Sequence, residues 1–305
     1  MSLTGDLRGN WLTSQRRESV TASIGGSPTP RVLVLNAHAF PPRSQTQNSM
    51  KQPSHNIKFI SSETKQLDQD EVYFHLIEDA KQIKLRFHDY GELYKRKGLY
   101  EQLFYERLQC VSPQVVCSIL SKVLSSNNLN INELRVLDLG AGNGMVGELL
   151  EVARVVGVDI SEEAFKACER DRPNAYDAYY VADFCDLPSE ISQELTDWRL
   201  DCLTCVAALG FGDIPTKAFS TAFNLIKNDG WVAFNVKDTF LLESDKTGFS
   251  NLIKHLLVSD VLEVHHLERY RHRISMDGEP LFYYAIVGKK AFDISEETMV
   301  RFNDA

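Results

Sequence analysis

Val136-Leu137-Asp138-Leu139-Gly140-Ala141-Gly142-Asn143-Gly144-Met145-Val146-Gly147 is the stretch on which the reading of this chain turns. An apolar run enters it, a glycine loop turns it, and a helical pattern leaves it. Glycines remove side chains where a backbone must turn sharply and come close to a ligand, and the N–H groups opening the following helix then face that ligand. Taken alone the loop is ambiguous, because Gly142-x-Gly144-x-x-Gly147 also satisfies the G-x-G-x-x-G of nicotinamide-cofactor proteins.

Outward from the loop the chain alternates two periods. Short apolar runs at 135–139, 155–158, 178–181, 200–207 and 231–236 read as strands. Between them, 144–153, 162–170 and 216–226 read as helices. Strands alternating with helices of this length argue for an α/β fold with a parallel sheet covered on both faces. The end of the chain changes character. Residues 251–258 read as a helix, and β-like runs at 261–275 and 281–289 flank Met276-Asp277-Gly278-Glu279-Pro280, where Asp-Gly signals a hairpin. A parallel sheet closed by an antiparallel hairpin is not the plain dinucleotide-binding architecture.

Acids stand at the carboxyl ends of three successive strands, the edge where ligands bind in open α/β sheets. Asp138 precedes the first glycine by two residues, where a carboxylate would repel a pyrophosphate and hold a cationic amino group. Asp159 ends the second strand, 19 positions after Gly140, and suits a ribose diol. Asp183 follows the third, where an adenine amino group could be read. Each acid alone is equally well a helix cap or turn former.

On these residues the stretch 134–290 resembles a class I S-adenosylmethionine-dependent methyltransferase. Asp138, Gly140, Ala141, Gly142, Asn143 and Gly144 match that family's first motif. Asp159, Ile160 and Ser161 look like its ribose-binding segment, and Asp183 and Phe184 like the segment holding adenine. The resemblance also places Cys205 among the cofactor-contacting positions. Asn228-Asp229-Gly230-Trp231 is similar to the family's turn before its fifth strand, and the terminal hairpin to its reversed last strand. The resemblance implies a Rossmann-like, doubly wound seven-stranded sheet, S-adenosyl-L-methionine as cofactor, and methyl transfer as the activity. It says nothing specific about the substrate.

Upstream, a helical pattern runs from about Asp70 through Val72, Leu76, Ile77, Ala80, Ile83 and Phe87, with Asp68 or Asp70 as its cap. A second spans about 100–110, and Ser112-Pro113 opens a third as N-cap and first helical residue. Residues 86–94 are similar to the aromatic N-terminal lid of small-molecule family members. Tyr90 and Tyr94 lie four apart and share a helix face, which could cover a sulfonium or simply pack on the core. Displacement from a sulfonium needs chiefly alignment and dryness; a general base is required only if the acceptor arrives protonated, and the sequence offers no certain one. Weak candidates are His88, Tyr90 and Tyr94; His255, His265, His266 and His272 are further bases, each more usually a surface or packing residue. Lys237-Asp238 could touch substrate or be solvated. Arg269, Arg271 and Arg273 alternate, would share one face, and read as a solvated sheet edge or a contact for an anionic substrate. After 200–207 the chain reads Ala207-Ala208-Leu209-Gly210, without the Asn/Asp-Pro-Pro-Tyr of relatives that methylate base or amide nitrogens.

Composition sets the rest. A net charge of -9 over 305 residues gives no support for nucleic-acid binding. No apolar stretch approaches the roughly 20 residues of a bilayer span, and no membrane association is expected. Cys202 and Cys205 form a C-x-x-C inside an apolar strand, where their sulfurs would point to opposite faces, so buried reduced cysteines are expected and no metal. The expected layout is a flexible extension over 1–56 with one apolar island at 31–35, a helical substrate-capping segment over 57–132, the cofactor domain over 133–290, and a tail over 291–305. A cytoplasmic protein with a small-molecule substrate is expected, with a Ser/Arg-rich organelle-targeting leader as the alternative. A non-catalytic partner subunit and a nicotinamide-dependent oxidoreductase are the rival functions.

Overall fold

The computed structural model describes residues 54–59, 72–209, 213–242, 244–245 and 248–302. The chain divides into two units, 1–31 and 32–305, and every described residue lies in the second. The island at 31–35 and the caps Asp68 and Asp70 lie outside the described residues.

Strands β1 (Asn56–Lys58), β2 (Tyr73–Glu78) and β3 (Lys81–Arg86) form a small antiparallel sheet. This corrects the helix expected from about Asp70. Steps of four belong to both the helical and the alternating period, and here the alternating one wins: Phe74, Leu76 and Leu85 are buried on one face. Asp79 and Ala80 form the turn with φ of 50° and 62°. Two left-handed residues make the hairpin turn whose twist matches its strands. The buried side chains of this sheet join Leu93 of α1 (Tyr90–Lys95), then Leu99 of α2 (Leu99–Glu101) and Leu103 of the π-helical turn Gln102–Arg107.

Helix α3 (Ser112–Ser126) carries Pro113 in its first turn, as expected. Ser112 is not its cap, however; the serine hydroxyl turns inward to the Tyr270 hydroxyl and His272 Nδ1, each at 2.6 Å. The chain then winds through β4 (Arg135–Leu139), α4 (Met145–Leu149), β5 (Arg154–Asp159), α5 (Glu162–Asp171), β6 (Ala178–Val181), α6 (Ser189–Asp197), β7 (Cys202–Cys205), α7 (Thr216–Leu225) and β8 (Trp231–Lys237). It closes with α8 (Gly248–Val258), β9 (Leu262–Ile274), β10 (Pro280–Lys290) and α9 (Glu296–Arg301).

The strand order is β6-β5-β4-β7-β8-β10-β9, with β10 antiparallel to both β8 and β9. This is the seven-stranded, mostly parallel sheet with a reversed hairpin that the sequence implied. Its central strands are almost continuously apolar because both faces are covered. One face packs on α6, α7 and α8 through Leu195, Phe219, Phe223 and Leu252; the other packs on α3 and α5 through Val116, Leu120 and Phe165. Cys205 joins the first layer and Cys202 the second, so the C-x-x-C sulfurs lie on opposite faces of the sheet, buried and unbridged.

Doubly wound order has a functional consequence. The order of strand addition reverses between β4 and β7, which run parallel, so the chain leaves these two strands toward opposite sides and a crevice opens at their carboxyl ends. A deep cavity occupies that crevice.

Candidate functional site

The cleft encloses about 730 Å³ and runs from the glycine loop to helix α1. Gly140, Ala141, Gly142 and Asn143 line its floor, Asp159, Ile160 and Ser161 one wall, and Ala182, Asp183 and Phe184 the far end. Ligand pockets of a few hundred Å³ up to about 1,000 Å³ suit molecules of nucleoside size.

The loop conformation is one that only glycine adopts without strain. Gly140 and Gly142 have φ of 73° and 52°. A Cβ on Gly140 would lie 2.9 Å from the Ala208 methyl, and one on Gly142 would lie 2.6 Å from the Tyr94 hydroxyl. The loop is therefore pressed between the α1 aromatic above it and the β7 loop beside it.

Asp159 ties the loop to the next strand. One carboxylate oxygen accepts from the Gly142 N–H at 2.9 Å and the other from the Ser161 N–H at 2.9 Å. Burial raises its pKa, and the backbone donors of Ser161 and Gly142 oppose that rise. Ser161 in turn caps α5 by accepting from the Ala164 N–H. Asp183 accepts from the Cys185 N–H at 2.7 Å, a local turn, while remaining exposed at the cleft. The turn-forming and ligand-facing readings of these two acids thus coexist. Ile160, 68% exposed, and Phe184, buried, both line the cleft and give it apolar surface.

Two expected contacts are corrected. Asp138 is 1% exposed and does not line the cleft. Its oxygens accept from the Thr204 hydroxyl and the Tyr176 hydroxyl, both at 2.6 Å. Tyr176 also donates to the Ala141 carbonyl at 3.2 Å, so this acid braces the loop from beneath rather than holding an amino group above it. Desolvation lifts its pKa to about 6 against the two hydroxyl donors. Cys205 is fully buried in the core and does not line the cleft, and burial pushes its thiol well up; an apolar environment disfavours the thiolate. Asn143 lines the cleft, but its side-chain amide is committed to Glu101 at 2.8 Å, and Glu101 also pairs with Arg172 at 2.8 Å.

Over the loop sit the aromatic side chains of α1 and α2. Tyr90 and Tyr94 stack at 6.2 Å between centroids with 23° between planes, and Tyr100 lies 5.0 Å from Tyr94. All three line the cleft, so the shared face expected from their spacing is turned toward it. Burial raises the pKa of all three phenols, which remain neutral.

His88 lines the cleft from this side, 17% exposed, with Nδ1 at 3.0 Å from the Asp213 carboxylate. The Tyr90 hydroxyl donates to the same carboxylate at 3.4 Å. Asp213 had no part in the sequence reading. Its signal was an acid a few positions after β7 in sequence, but its partner lies 125 residues upstream. The other candidate histidines do not line the cleft. His255 packs on Phe302, His265 on Trp231, and His266 pairs with Glu268. Burial drives the pKa of His272 well down and keeps its ring neutral. Asp238 pairs with Arg269 at 2.8 Å, away from the cleft.

A buried polar chain beneath the β7 loop was also not legible. Asn235 accepts from the Ala207 N–H at 2.7 Å and donates to the Tyr270 hydroxyl at 2.8 Å, and that hydroxyl meets Ser112 and so His272. It holds Ala207, a left-handed residue with φ of 56°, at the cleft edge. Among the described residues no group of three or more His, Cys, Asp or Glu could hold a metal ion.

Comparison with known proteins bears on part of the chain. A family profile described as a methyltransferase domain matches residues 137–234, from the glycine loop through β8. This segment belongs to the class I S-adenosylmethionine-dependent methyltransferases. Ubiquinone biosynthesis O-methyltransferases of Bordetella pertussis and Bordetella bronchiseptica are each 29% identical to this chain over 103 residues. Those alignments cover 33% of this chain and 42% of the relatives' length. Among solved structures, magnesium protoporphyrin IX methyltransferase of Synechocystis with bound S-adenosylmethionine superposes with a TM-score of 0.41 at 16% identity, covering 59% of this chain and 79% of that one. The N-methyltransferase NodS of Bradyrhizobium japonicum gives 0.39 at 13% identity, covering 59% and 96%.

The residues of the methyltransferase domain fit the family's cofactor. A glycine cradle that a Cβ would fill, a carboxylate at the end of β5, an exposed apolar side chain at Ile160 and an acid at Asp183 follow one another along the cleft wall. Asp159 would take the ribose hydroxyls, Ile160 and Phe184 the adenine faces, and the tyrosines the sulfonium end.

Proposed function

We propose that the chain transfers the methyl group of S-adenosylmethionine to a hydroxyl oxygen of a small-molecule acceptor. One observation carries this reading: a single cleft joins the cofactor cradle at Gly142 to the His88–Asp213 pair, so a nucleoside end and a base lie in one cavity. The O-methyltransferase names of the two Bordetella relatives favour the same acceptor atom.

When bound, S-adenosylmethionine supplies an electrophilic methyl on a sulfonium, so the chain has chiefly to align and dehydrate the acceptor. Tyr90, Tyr94 and Tyr100 close the cleft from the α1 side and exclude water, the part expected of a lid. His88 accepts the acceptor's hydroxyl proton, and Asp213 orients the imidazole and stabilises the charge it gains.

The test is calorimetric titration with S-adenosylmethionine, S-adenosylhomocysteine and NADH, followed by a methyl-transfer screen of hydroxylated acceptors. Micromolar binding of both sulfur compounds and none of NADH supports the reading. A folded sample that binds neither sulfur compound refutes it.

A further inference from the structure

Arg273 stands apart from its neighbours on β9. Sequence alternation puts Arg269, Arg271 and Arg273 on one face, but the register shifts between β10 residues Leu281 and Phe282, which pair with Arg273 and Arg271. His272 is therefore the extra residue of a bulge, and bulges re-aim the side chains beside them. Arg269 and Arg271 are exposed, and they bond to Asp238 and Gln109. Arg273 is 5% exposed.

Its charge is poorly compensated. Among the described residues its side chain makes one hydrogen bond, 3.0 Å to the Ile274 carbonyl, and the Phe87 ring lies 5.8 Å away. Among the described residues no carboxylate lies within ion-pair distance of it. Burying a guanidinium without a counter-charge costs several kcal/mol, and desolvation lowers its pKa accordingly; it nevertheless stays charged, because arginine is not deprotonated in proteins.

It borders a space. A second cavity of about 40 Å³ is lined by Arg273 together with Cys110, His272 and Tyr283, room for a group of two or three heavy atoms. The cavity shares His88, Tyr90, Tyr100, Ala207, Ala208 and Asp213 with the main cleft. Asp213 is the sole acid on its lining, and His88 and Tyr90 already engage it. His272 is neutral and held by Ser112.

We infer that Arg273 is the recognition group for a carboxylate on the methyl acceptor, so that the substrate is a hydroxy acid seated with its hydroxyl at His88 and its carboxylate in the small cavity. The inference rests on the methyltransferase reading. A guanidinium fork matches a carboxylate with two parallel hydrogen bonds, and the ligand supplies the counter-charge that the protein lacks. The aromatic side chains around the fork, Tyr90, Tyr100 and Tyr283, suit an aromatic or otherwise flat acid.

The test uses the full chain loaded with S-adenosylhomocysteine, titrated with benzoate and with its neutral isostere benzamide by ligand-observed NMR. Benzoate is expected to bind about tenfold or more tighter than benzamide, the scale of one charge-assisted pair. Arg273→Met is expected to bring the two within about twofold while leaving S-adenosylhomocysteine affinity in place, and Arg273→Lys to retain part of the preference. Equal binding by the wild type, no benzoate binding up to about 10 mM, or a preference that survives Arg273→Met overturns the inference. If Arg273→Met does not fold, the wild-type comparison and Arg273→Lys decide. Failure of a folded sample to bind S-adenosylhomocysteine overturns the methyltransferase reading instead, and benzoate selectivity on that sample still decides the anion site.

Discussion

Substituting Gly142 by alanine tests how the cleft roof is held. The residue has φ of 52°, and a Cβ there would stand 2.6 Å from the Tyr94 hydroxyl oxygen but 3.5 Å from the ring carbon bearing it. Two costs follow. Left-handed backbone with a Cβ costs roughly 1–2 kcal/mol, and overpacking a filled site costs roughly 1–3 kcal/mol more. Tyr94 has little freedom to yield, being 7% exposed and wedged between Tyr90 and Tyr100. Gly142→Ala should therefore destabilise by about 2–5 kcal/mol and weaken S-adenosylhomocysteine binding as the loop and roof separate. Tyr94→Phe removes the oxygen and leaves an ordinary 3.5 Å contact, so the double variant should recover the steric part and keep the backbone part. Urea denaturation of the four proteins gives the coupling as a double-mutant cycle. A coupling below about 0.5 kcal/mol, the noise of independent sites, would refute the claim that Tyr94 is pinned against the loop.

Other expectations concern the acids and the base. Asp138 has a folded pKa of about 6 against an ordinary 3.8, so the folded state binds the extra proton and stability declines as pH rises from about 4 to about 6. The full decline from this group is about 3 kcal/mol, and Asp138→Asn should flatten it in thermal scans across that range. Asp159→Ala should weaken S-adenosylhomocysteine by about 1.5–3 kcal/mol, the scale of hydrogen bonds to a charged group, read by calorimetry; unchanged affinity would sink the ribose assignment. His88→Ala should lower kcat by about 10²–10⁴ with cofactor affinity kept, and Asp213→Asn should lower it less; a variant as active as wild type would remove His88 as the base.

Legibility tracked the distance over which each feature is encoded. The glycine loop, the Asp159 and Asp183 turns and the terminal hairpin are local, set by backbone preferences within a few residues, and each was readable. The β2–β3 hairpin was misread because Val72, Leu76, Ile83 and Phe87 satisfy both periods, and only pairing between strands settles which applies. Asp138 was placed at the right loop but on the wrong side of it, since the donors that turn it inward, Tyr176 and Thr204, lie 38 and 66 residues away.

The sequence alone thus determined the α/β alternation, the cofactor class and the strand-end acids Asp159 and Asp183 that line the cleft, because those depend on periodicity and on loop chemistry contained in short segments. Tertiary structure decided what no segment contains. It paired His88 with Asp213, turned Tyr90 and Tyr94 over the cleft, and used a one-residue bulge to carry Arg273 from the solvated edge to a buried cavity. The physical reason is the same each time: the direction and charge state of these side chains are fixed by partners brought to them through folding, and a chain read in order does not show those partners.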